Sequence, residues 1–166
     1  MDAEPNRPSR TSILFVCLGN ICRSPLAEGI FRDRVAKRGL TDRFEIDSAG
    51  TGGWHVGEPA DARAAMVAES HGVTLESRAR QVTEADLAHY HYVIAMDRDN
   101  LAELERMGAG VEDGAELHLL REFDPAGTGE EVPDPYYGGA SGFEAVYDMV
   151  NRSCEAFLEH VLARSA

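Results

Sequence analysis

A cysteine and an arginine in one short segment, Cys17 and Arg23, are the residues of this sequence best suited to carry out chemistry. They lie between an apolar run, residues 13–16, and a Ser-Pro pair, Ser24-Pro25. A cysteine thiolate is a strong nucleophile, and an arginine guanidinium offers a planar pair of donors that matches phosphate or carboxylate oxygens. The pair therefore indicates an anion site in which the sulfur attacks a bound oxyanion.

The elements on either side can be predicted from their residues. Residues 13–16 are apolar and mostly β-branched or aromatic, which indicates a buried strand. Ser24 is a suitable N-cap and Pro25 suits the first helical position, so a helix is expected to start there. A short turn before a helix N-terminus directs several backbone N–H groups into one concavity, and the helix dipole adds positive potential. We therefore expect Cys17 to be a thiolate at the rim of an anion-binding loop.

Other residues of the loop have predicted roles in holding it and in stabilising charge. Asn20 tolerates a left-handed backbone, and Ser24 is suited to donate a hydrogen bond to the thiolate. Arg23 and the loop amides are expected to stabilise the equatorial oxygens of a phosphoryl transition state. The alternative is a structural cysteine beside a strand, with Arg23 in a surface ion pair. The preceding strand and the following Ser-Pro pair favour the chemical interpretation.

Composition limits the classes of function. The 166 residues are 43% hydrophobic, which indicates a single globular domain, expected over residues 11–166 after a polar, disordered leader at 1–10. The net charge of −13 argues against nucleic-acid and anionic-membrane partners. Three cysteines do not form a disulfide framework and suit a reducing compartment. We expect a cytoplasmic monomer, with export by a non-standard route left open.

The order of predicted elements determines the expected fold. Strands alternate with helices, which indicates right-handed crossovers and a parallel sheet. The expected fold is α/β, a three-layer doubly wound sandwich with a four-stranded parallel sheet flanked by helices on both faces. The predicted strands are 13–16, 44–48, 92–96 and 117–120, and the predicted helices follow Ser24, span 60–71, follow Thr83, span 98–107 and follow Ser141. Asp97 follows the third strand, where it either pairs with Arg23 or caps the next helix.

Several segments resemble the low-molecular-weight protein tyrosine phosphatases. Cys17 to Pro25 resembles the family's Cys-x5-Arg-Ser loop, and further similar segments are Asp47–Gly50, Ala79–Gln81, Met96-Asp97 and Asp134–Gly138. The resemblance implies hydrolysis of phosphotyrosine and small aryl phosphates through a phosphocysteine on Cys17, with Arg23 binding phosphate and neither a cofactor nor a metal. The family usually has a histidine three residues before its Arg-Gln pair. This chain has Ser77, so the support of the loop is expected to differ.

The resemblance also supplies a general acid. The leaving group needs a proton and the phosphocysteine needs an activated water, and one carboxyl group could serve both steps. Taken alone, Asp134-Pro135 indicates only a turn. In the family this aspartate is the acid and then the base, and the adjacent tyrosines line a slot for an aromatic phosphoester. The expected substrate-binding residues are Leu18, Gly19, Asn20, Ile21, Cys22, Ser24, Trp54, Tyr136 and Tyr137, and the supporting residues are Ser48 and Asp97.

Trp54 and Cys22 each have a second interpretation. Trp54 is the only tryptophan and lies in a glycine-rich loop after the second strand, so it is either a pocket wall, which we favour, or a structural plug. Cys22 lies in the same loop as Cys17. In the family a second cysteine here traps the oxidised nucleophile as a disulfide, and the alternative is a small residue that fills the loop. Cys154 lies on the apolar stripe of the last helix and is expected in the core.

Three other functions share parts of this sequence pattern. Thioredoxin-coupled arsenate reductases share the loop but need further cysteines near residues 80–90, and none occurs between Cys22 and Cys154. Relatives that act on phosphoarginine tend to carry threonine where this chain has Ile21, which favours phosphotyrosine. A non-catalytic phosphotyrosine-binding module is expected to lack Cys17 or Asp134, and both are present.

Replacement of the nucleophile is the first test. Cys17→Ser is expected to abolish hydrolysis of p-nitrophenyl phosphate, because a serine hydroxyl is not ionised at neutral pH and is a far weaker nucleophile. The wild-type protein is expected to retain its activity in EDTA. Release of p-nitrophenolate measures both results, and a Cys17→Ser variant with wild-type turnover would contradict the assignment.

Overall fold

The computed structural model describes residues 10–127, 130–136 and 140–165, with the side chains of 140, 141 and 165 excepted. Tyr137 and the expected leader, apart from Arg10, lie outside the described residues. The elements are β1 Thr11–Cys17, α1 Arg23–Lys37, β2 Phe44–Gly50, α2 Ala62–Ser70, α3 Glu84–His89, β3 Tyr92–Ala95, α4 Arg98–Gly108, β4 Glu116–Leu119 and α5 Ala140–Ser165. Two 3₁₀ turns cover Thr41–Arg43 and Leu120–Phe123.

The four strands form one parallel sheet in the order β2-β1-β3-β4. Ile13 and Phe15 of β1 belong to a core shared with α1, α2 and α5, whereas Leu14 and Val16 belong to a second core shared with α3 and α4. All four side chains are fully buried. Side chains alternate between the two faces of a strand, so a central strand covered on both faces is apolar throughout. The predicted α/β fold is therefore confirmed.

The sheet brings the functional segments to one edge. Cys17 at the end of β1 is in register with Gly50 of β2, and Val16 is in register with Ala95 of β3. Because the strands are parallel, their carboxyl ends meet at the same edge, where ligands bind in open α/β sheets. The loops after β1, β2 and β3 therefore converge on Cys17.

Some predicted element boundaries were wrong. The helix α1 begins at Arg23, with Cys22 at the N-cap position and no side-chain cap, so Ser24 is not the cap. A side-chain cap would occupy the backbone N–H groups that an anion-binding loop keeps free. The helix α5 begins at Ala140, which puts Ser141 inside its first turn. The helix predicted after Thr83 is confirmed as α3, and Thr83 and Asp86 form a capping box at its start.

The larger core contains a cluster of aromatic rings. The rings of Phe15, Phe31 and Phe157 lie 5.6–6.4 Å apart between centroids, and Tyr92 and Phe123 also contact Phe157. These contacts join β1, β3, α1 and α5. None of the helices in the described part of the chain combines the length and apolar character needed to cross a membrane.

The central ring of this cluster gives a stability prediction. Phe157→Ala is expected to lower the free energy of unfolding by about 3–5 kcal/mol, because it removes a fully buried ring and leaves a cavity between the sheet and α5. Urea denaturation measures the change. Met66→Ala is the control, since Met66 is 68% exposed, and it should change the stability by less than about 0.5 kcal/mol. Equal losses in both variants would contradict the assigned core.

Candidate active site

The loop after β1 holds the Cys17 sulfur among polar donors. The sulfur accepts a hydrogen bond from the backbone N–H of Asn20 at 3.3 Å and lies 3.0 Å from Ser24 Oγ. Cys17 and Ser24 are both buried. Asn20 has a φ of 58°, the left-handed conformation that was predicted for it. The loop therefore turns tightly beneath the sulfur.

The Asn20 side chain connects this loop to its surroundings. Its Nδ2 donates to Ser24 Oγ at 2.8 Å and to Ser48 Oγ at 3.0 Å. Its Oδ1 accepts from the backbone N–H of Arg80 at 3.0 Å. The side chains of Asn20 and Ser24, which were predicted to bind substrate, thus lie beneath the loop and hold its shape.

Arg23 is a buried cation at the first position of α1. Its Nη1 donates to Asp97 Oδ2 at 2.7 Å and to the carbonyl of Val132 at 3.0 Å, and its Nη2 lies 3.6 Å from Asp134 Oδ2. Burial acts to lower the pKa of Arg23, but Cys17 and Asp97 outweigh burial, so the net pKa is raised and the guanidinium stays charged.

Asp97 serves both of its proposed purposes. Its Oδ2 accepts from Arg23, and its Oδ1 accepts from the backbone N–H of Asn100 at 2.8 Å, which caps α4. One carboxylate has lone pairs enough for both bonds. The orientation of the guanidinium is therefore tied to the start of a helix.

One cavity of about 330 Å³ brings the predicted residues together. Its lining consists of Cys17, Leu18, Gly19, Ile21, Cys22, Arg23, Trp54, His55, Asp134 and Tyr136. Trp54 is 72% exposed, so it forms the rim and not the floor. Asp134 Oδ1 accepts from the backbone N–H of Tyr136 at 3.0 Å, which fixes the carboxyl group at the mouth. A nucleophile, a cation and a carboxyl group thus share one opening.

Comparison with known proteins identifies the family. The sequence model for low molecular weight phosphotyrosine protein phosphatase matches residues 12–166. The chain belongs to this family. It is 45% identical over 151 residues to the pig low molecular weight phosphotyrosine protein phosphatase, an alignment that covers 90% of this chain and 95% of the pig protein. This membership supports the resemblance drawn from the loop.

Solved structures agree with this assignment. The crystal structure of YfkJ from Bacillus subtilis is 40% identical, has a TM-score of 0.89 and is similar over 97% of this chain and all of that one. The crystal structure of DARP, a Drosophila arginine phosphatase, is 38% identical with a TM-score of 0.84, over 90% of this chain and 96% of that one. The phosphatase fold therefore extends over nearly the whole chain.

In this phosphatase a glutamate supports the loop from behind. Glu28 Oε1 accepts from Ser48 Oγ at 2.6 Å, and its Oε2 accepts from Arg32 Nε at 3.0 Å. Ser77, at the position where the resemblance implies a histidine, lines a cavity of about 440 Å³ beside Glu28 and Arg32. Since Glu28 binds Ser48 directly, the hydrogen bonds from Cys17 through Ser24 and Asn20 to Ser48 continue without a histidine.

His55 is a wall residue of the phosphatase pocket that sequence reasoning missed. Its ring lies 6.3 Å from that of Tyr136, and its Nδ1 is 3.0 Å from Glu58 Oε1. The histidines of the sequence do not have the spacing of metal ligands, and the position of His55 directly after Trp54 was the available signal for a pocket residue. The indole of Trp54 packs directly against Gly52, which only a glycine permits, because a Cβ there would lie 1.9 Å from a ring carbon of Trp54.

The second cysteine of the loop is a very weak acid. Burial, Asp61 and Cys17 raise the pKa of Cys22 to about 12. Cys22 is therefore a thiol at neutral pH. Cys154 is fully buried, and burial raises its pKa too, in keeping with the predicted core position. All three cysteines are free.

The raised pKa values of Cys22 and Cys154 predict selective alkylation. Iodoacetate at pH 7 is expected to modify Cys17 before Cys22 or Cys154, because a thiol with a pKa near 12 forms almost no thiolate at that pH. Inorganic phosphate should protect the site. Peptide mass spectrometry locates the label, and Cys17→Ser should react slowly as the control. Carboxymethylation of Cys22 ahead of Cys17 would contradict the assignment.

Proposed function

We propose that this chain is a protein tyrosine phosphatase that transfers a phosphoryl group from phosphotyrosine to Cys17 and then to water. The supporting observation is the single cavity lined by Cys17, Arg23 and Asp134. No other group of residues described above combines a nucleophile, a phosphate-binding cation and a proton donor.

In the first step the Cys17 sulfur attacks phosphorus from the side opposite the phenol oxygen. The S–P bond forms as the P–O bond to the tyrosine breaks. Arg23 and the N–H groups of the loop stabilise the negative charge on the three equatorial oxygens. Asp134 donates its proton to the departing oxygen, so that tyrosine leaves as a neutral phenol.

In the second step water hydrolyses the phosphocysteine. Asp134, now ionised, takes a proton from the water, whose oxygen attacks phosphorus as the S–P bond breaks. The products are inorganic phosphate and the Cys17 thiolate. Ser24 Oγ, 3.0 Å from the sulfur, donates to the thiolate as it re-forms. Arg23 again holds the equatorial oxygens.

The shape of the pocket supports an aromatic substrate. Trp54, His55 and Tyr136 surround the opening above the sulfur, so a phenol ring can stack between flat side chains. Phosphoserine is too short to bring its phosphate to Cys17 while filling this opening. Tyr137, assigned to the same wall, lies outside the described residues.

Phosphoarginine is the second candidate substrate, because the similar DARP is an arginine phosphatase. Ile21 lines the pocket and favours phosphotyrosine, since relatives that act on phosphoarginine tend to carry threonine there. Hydrolysis of a phosphotyrosine peptide and of the matched phosphoarginine peptide, by wild type and Ile21→Thr, separates the two.

We further propose a cytoplasmic monomer without nucleic-acid or membrane partners, in keeping with the net charge of −13.

The acid assignment has a direct test. Asp134→Ala is expected to lower turnover of phenyl phosphate by roughly 10²–10⁴-fold, because phenolate is a poor leaving group without a proton. Phosphate binding should change little. Steady-state kinetics and inhibition by inorganic phosphate measure the two effects.

Asp134→Asn is the matched control, since it keeps the shape of the side chain and removes the proton. It should behave like Asp134→Ala. Unchanged phenyl phosphate turnover in either variant would show that another group is the acid.

A further inference from the structure

A buried ion pair lies beside the segment that carries Asp134. Arg121 is 7% exposed and Asp124 is fully buried. Arg121 Nε donates to Asp124 Oδ2 at 3.0 Å, and Arg152 donates two further hydrogen bonds to the same carboxylate at 3.2 Å. Burial acts to raise the pKa of Asp124, but these hydrogen bonds lower it overall, so the carboxylate is ionised.

The second end of the same guanidinium holds the acid segment. Arg121 Nη1 donates to the carbonyl of Glu131 at 3.1 Å and contacts Glu130 Oε1 at 3.3 Å. Arg121 thus joins the buried Asp124 to a backbone position three residues before Asp134. A planar guanidinium with donors in a fixed fork is suited to such a link.

The link reaches the active site through a short path. Val132 follows Glu131 and makes two backbone hydrogen bonds. The Val132 carbonyl accepts from Arg23 Nη1 at 3.0 Å, and the Val132 N–H donates to the carbonyl of Met96 at 2.8 Å. Pro133 and Pro135 fix their own φ angles on either side of Asp134. The two hydrogen bonds of Val132 and the fixed φ of Pro133 therefore limit rotation between the Glu131 carbonyl and Asp134.

A glycine shows how closely Arg121 packs. A Cβ added at Gly127 would lie 2.1 Å from Arg121 Nη2 and 2.9 Å from its Cζ. The guanidinium therefore rests directly on the backbone of residue 127. Alanine there would displace it without removing its charge.

We propose that Arg121 is a positioning residue for proton transfer, which acts by holding the backbone at Glu131 so that the Asp134 carboxyl group stays aligned with the leaving group. The proposal rests on the proposed role of Asp134 as general acid. Arg121 is not among the residues that line the pocket. Its loss should therefore weaken proton donation and leave attack by Cys17 intact.

The experiment measures kcat/KM for a series of aryl phosphates whose leaving phenols differ in acidity. Arg121→Met is expected to change kcat/KM for p-nitrophenyl phosphate by less than about threefold, because p-nitrophenolate leaves without a proton. The kcat/KM for phenyl phosphate should fall by about tenfold or more, because a carboxyl group displaced by about 1 Å donates its proton much less effectively. The plot of log kcat/KM against the pKa of the phenol becomes steeper.

Two further variants separate positioning from general support. Arg152→Met removes two hydrogen bonds from the same Asp124 without a contact to 130–132, so it should keep the wild-type slope. Gly127→Ala keeps the Arg121 charge and displaces it, so it should steepen the slope. Urea denaturation of all three variants measures the change in stability, which is independent of the slope.

The outcomes distinguish this proposal from the proposed function. A wild-type slope in both Arg121→Met and Gly127→Ala, with a steep slope in Asp134→Ala, overturns the positioning role and leaves the acid assignment standing. Equal losses for all substrates in Arg121→Met also overturn it, because they indicate a general loss of structure. A wild-type slope in Asp134→Ala refutes the acid assignment itself, and the positioning role with it.

Discussion

The buried charge of Arg23 is the constraint on which the site depends. A guanidinium that is only 2% exposed is stable only if its donors are paired. Asp97 and the Val132 carbonyl accept hydrogen bonds from Arg23 Nη1, and Asp134 lies 3.6 Å from Nη2. These partners come from the end of β3 and from the segment before α5. Pairing one cation thus brings together the loop that carries Cys17 and the segment that carries Asp134.

This local positive site contrasts with the rest of the chain. A net charge of −13 disfavours long-range attraction of phosphate-bearing substrates. Affinity therefore has to come from the loop amides, Arg23 and the aromatic rim, all of which act at short range. Such a pocket selects by shape and contact, which suits a phosphate at the end of a flat ring.

Local rules predicted the parts of this structure that depend on neighbouring residues. The apolar run of β1, the left-handed Asn20 and the helix start after Thr83 follow from residue type alone. The cap at Ser24 failed because the anion site requires free N–H groups where a helix normally has a cap. The Ser24 hydroxyl contacts Cys17 instead.

Long-range contacts were beyond these rules. Arg121 donates a hydrogen bond to the carbonyl of Glu131, ten residues later in the chain, and the ring of His55 lies near that of Tyr136 in the pocket. No periodicity or spacing in the sequence indicates which of many charged residues will be paired. The resemblance to a family supplied the role of Asp134, because an Asp-Pro pair alone indicates a turn. The resemblance did not indicate the contacts of Arg121 with Asp124 and Glu131, which are apparent only from the geometry.

The two chemical groups are held by separate networks that meet at α1. Behind the loop, hydrogen bonds run from Cys17 through Ser24 and Asn20 to Ser48, and end at the Glu28 carboxylate. At the side, they run from Asp124 through Arg121 to the backbone before Asp134. Arg23 contacts the second network and is adjacent in sequence to Ser24 of the first. Because the two networks share no hydrogen bond, Arg23 is the link that keeps the Cys17 loop and the Asp134 segment together. On the proposed roles, a change behind the loop should act mainly on the sulfur, and a change beside Asp134 should act mainly on proton transfer.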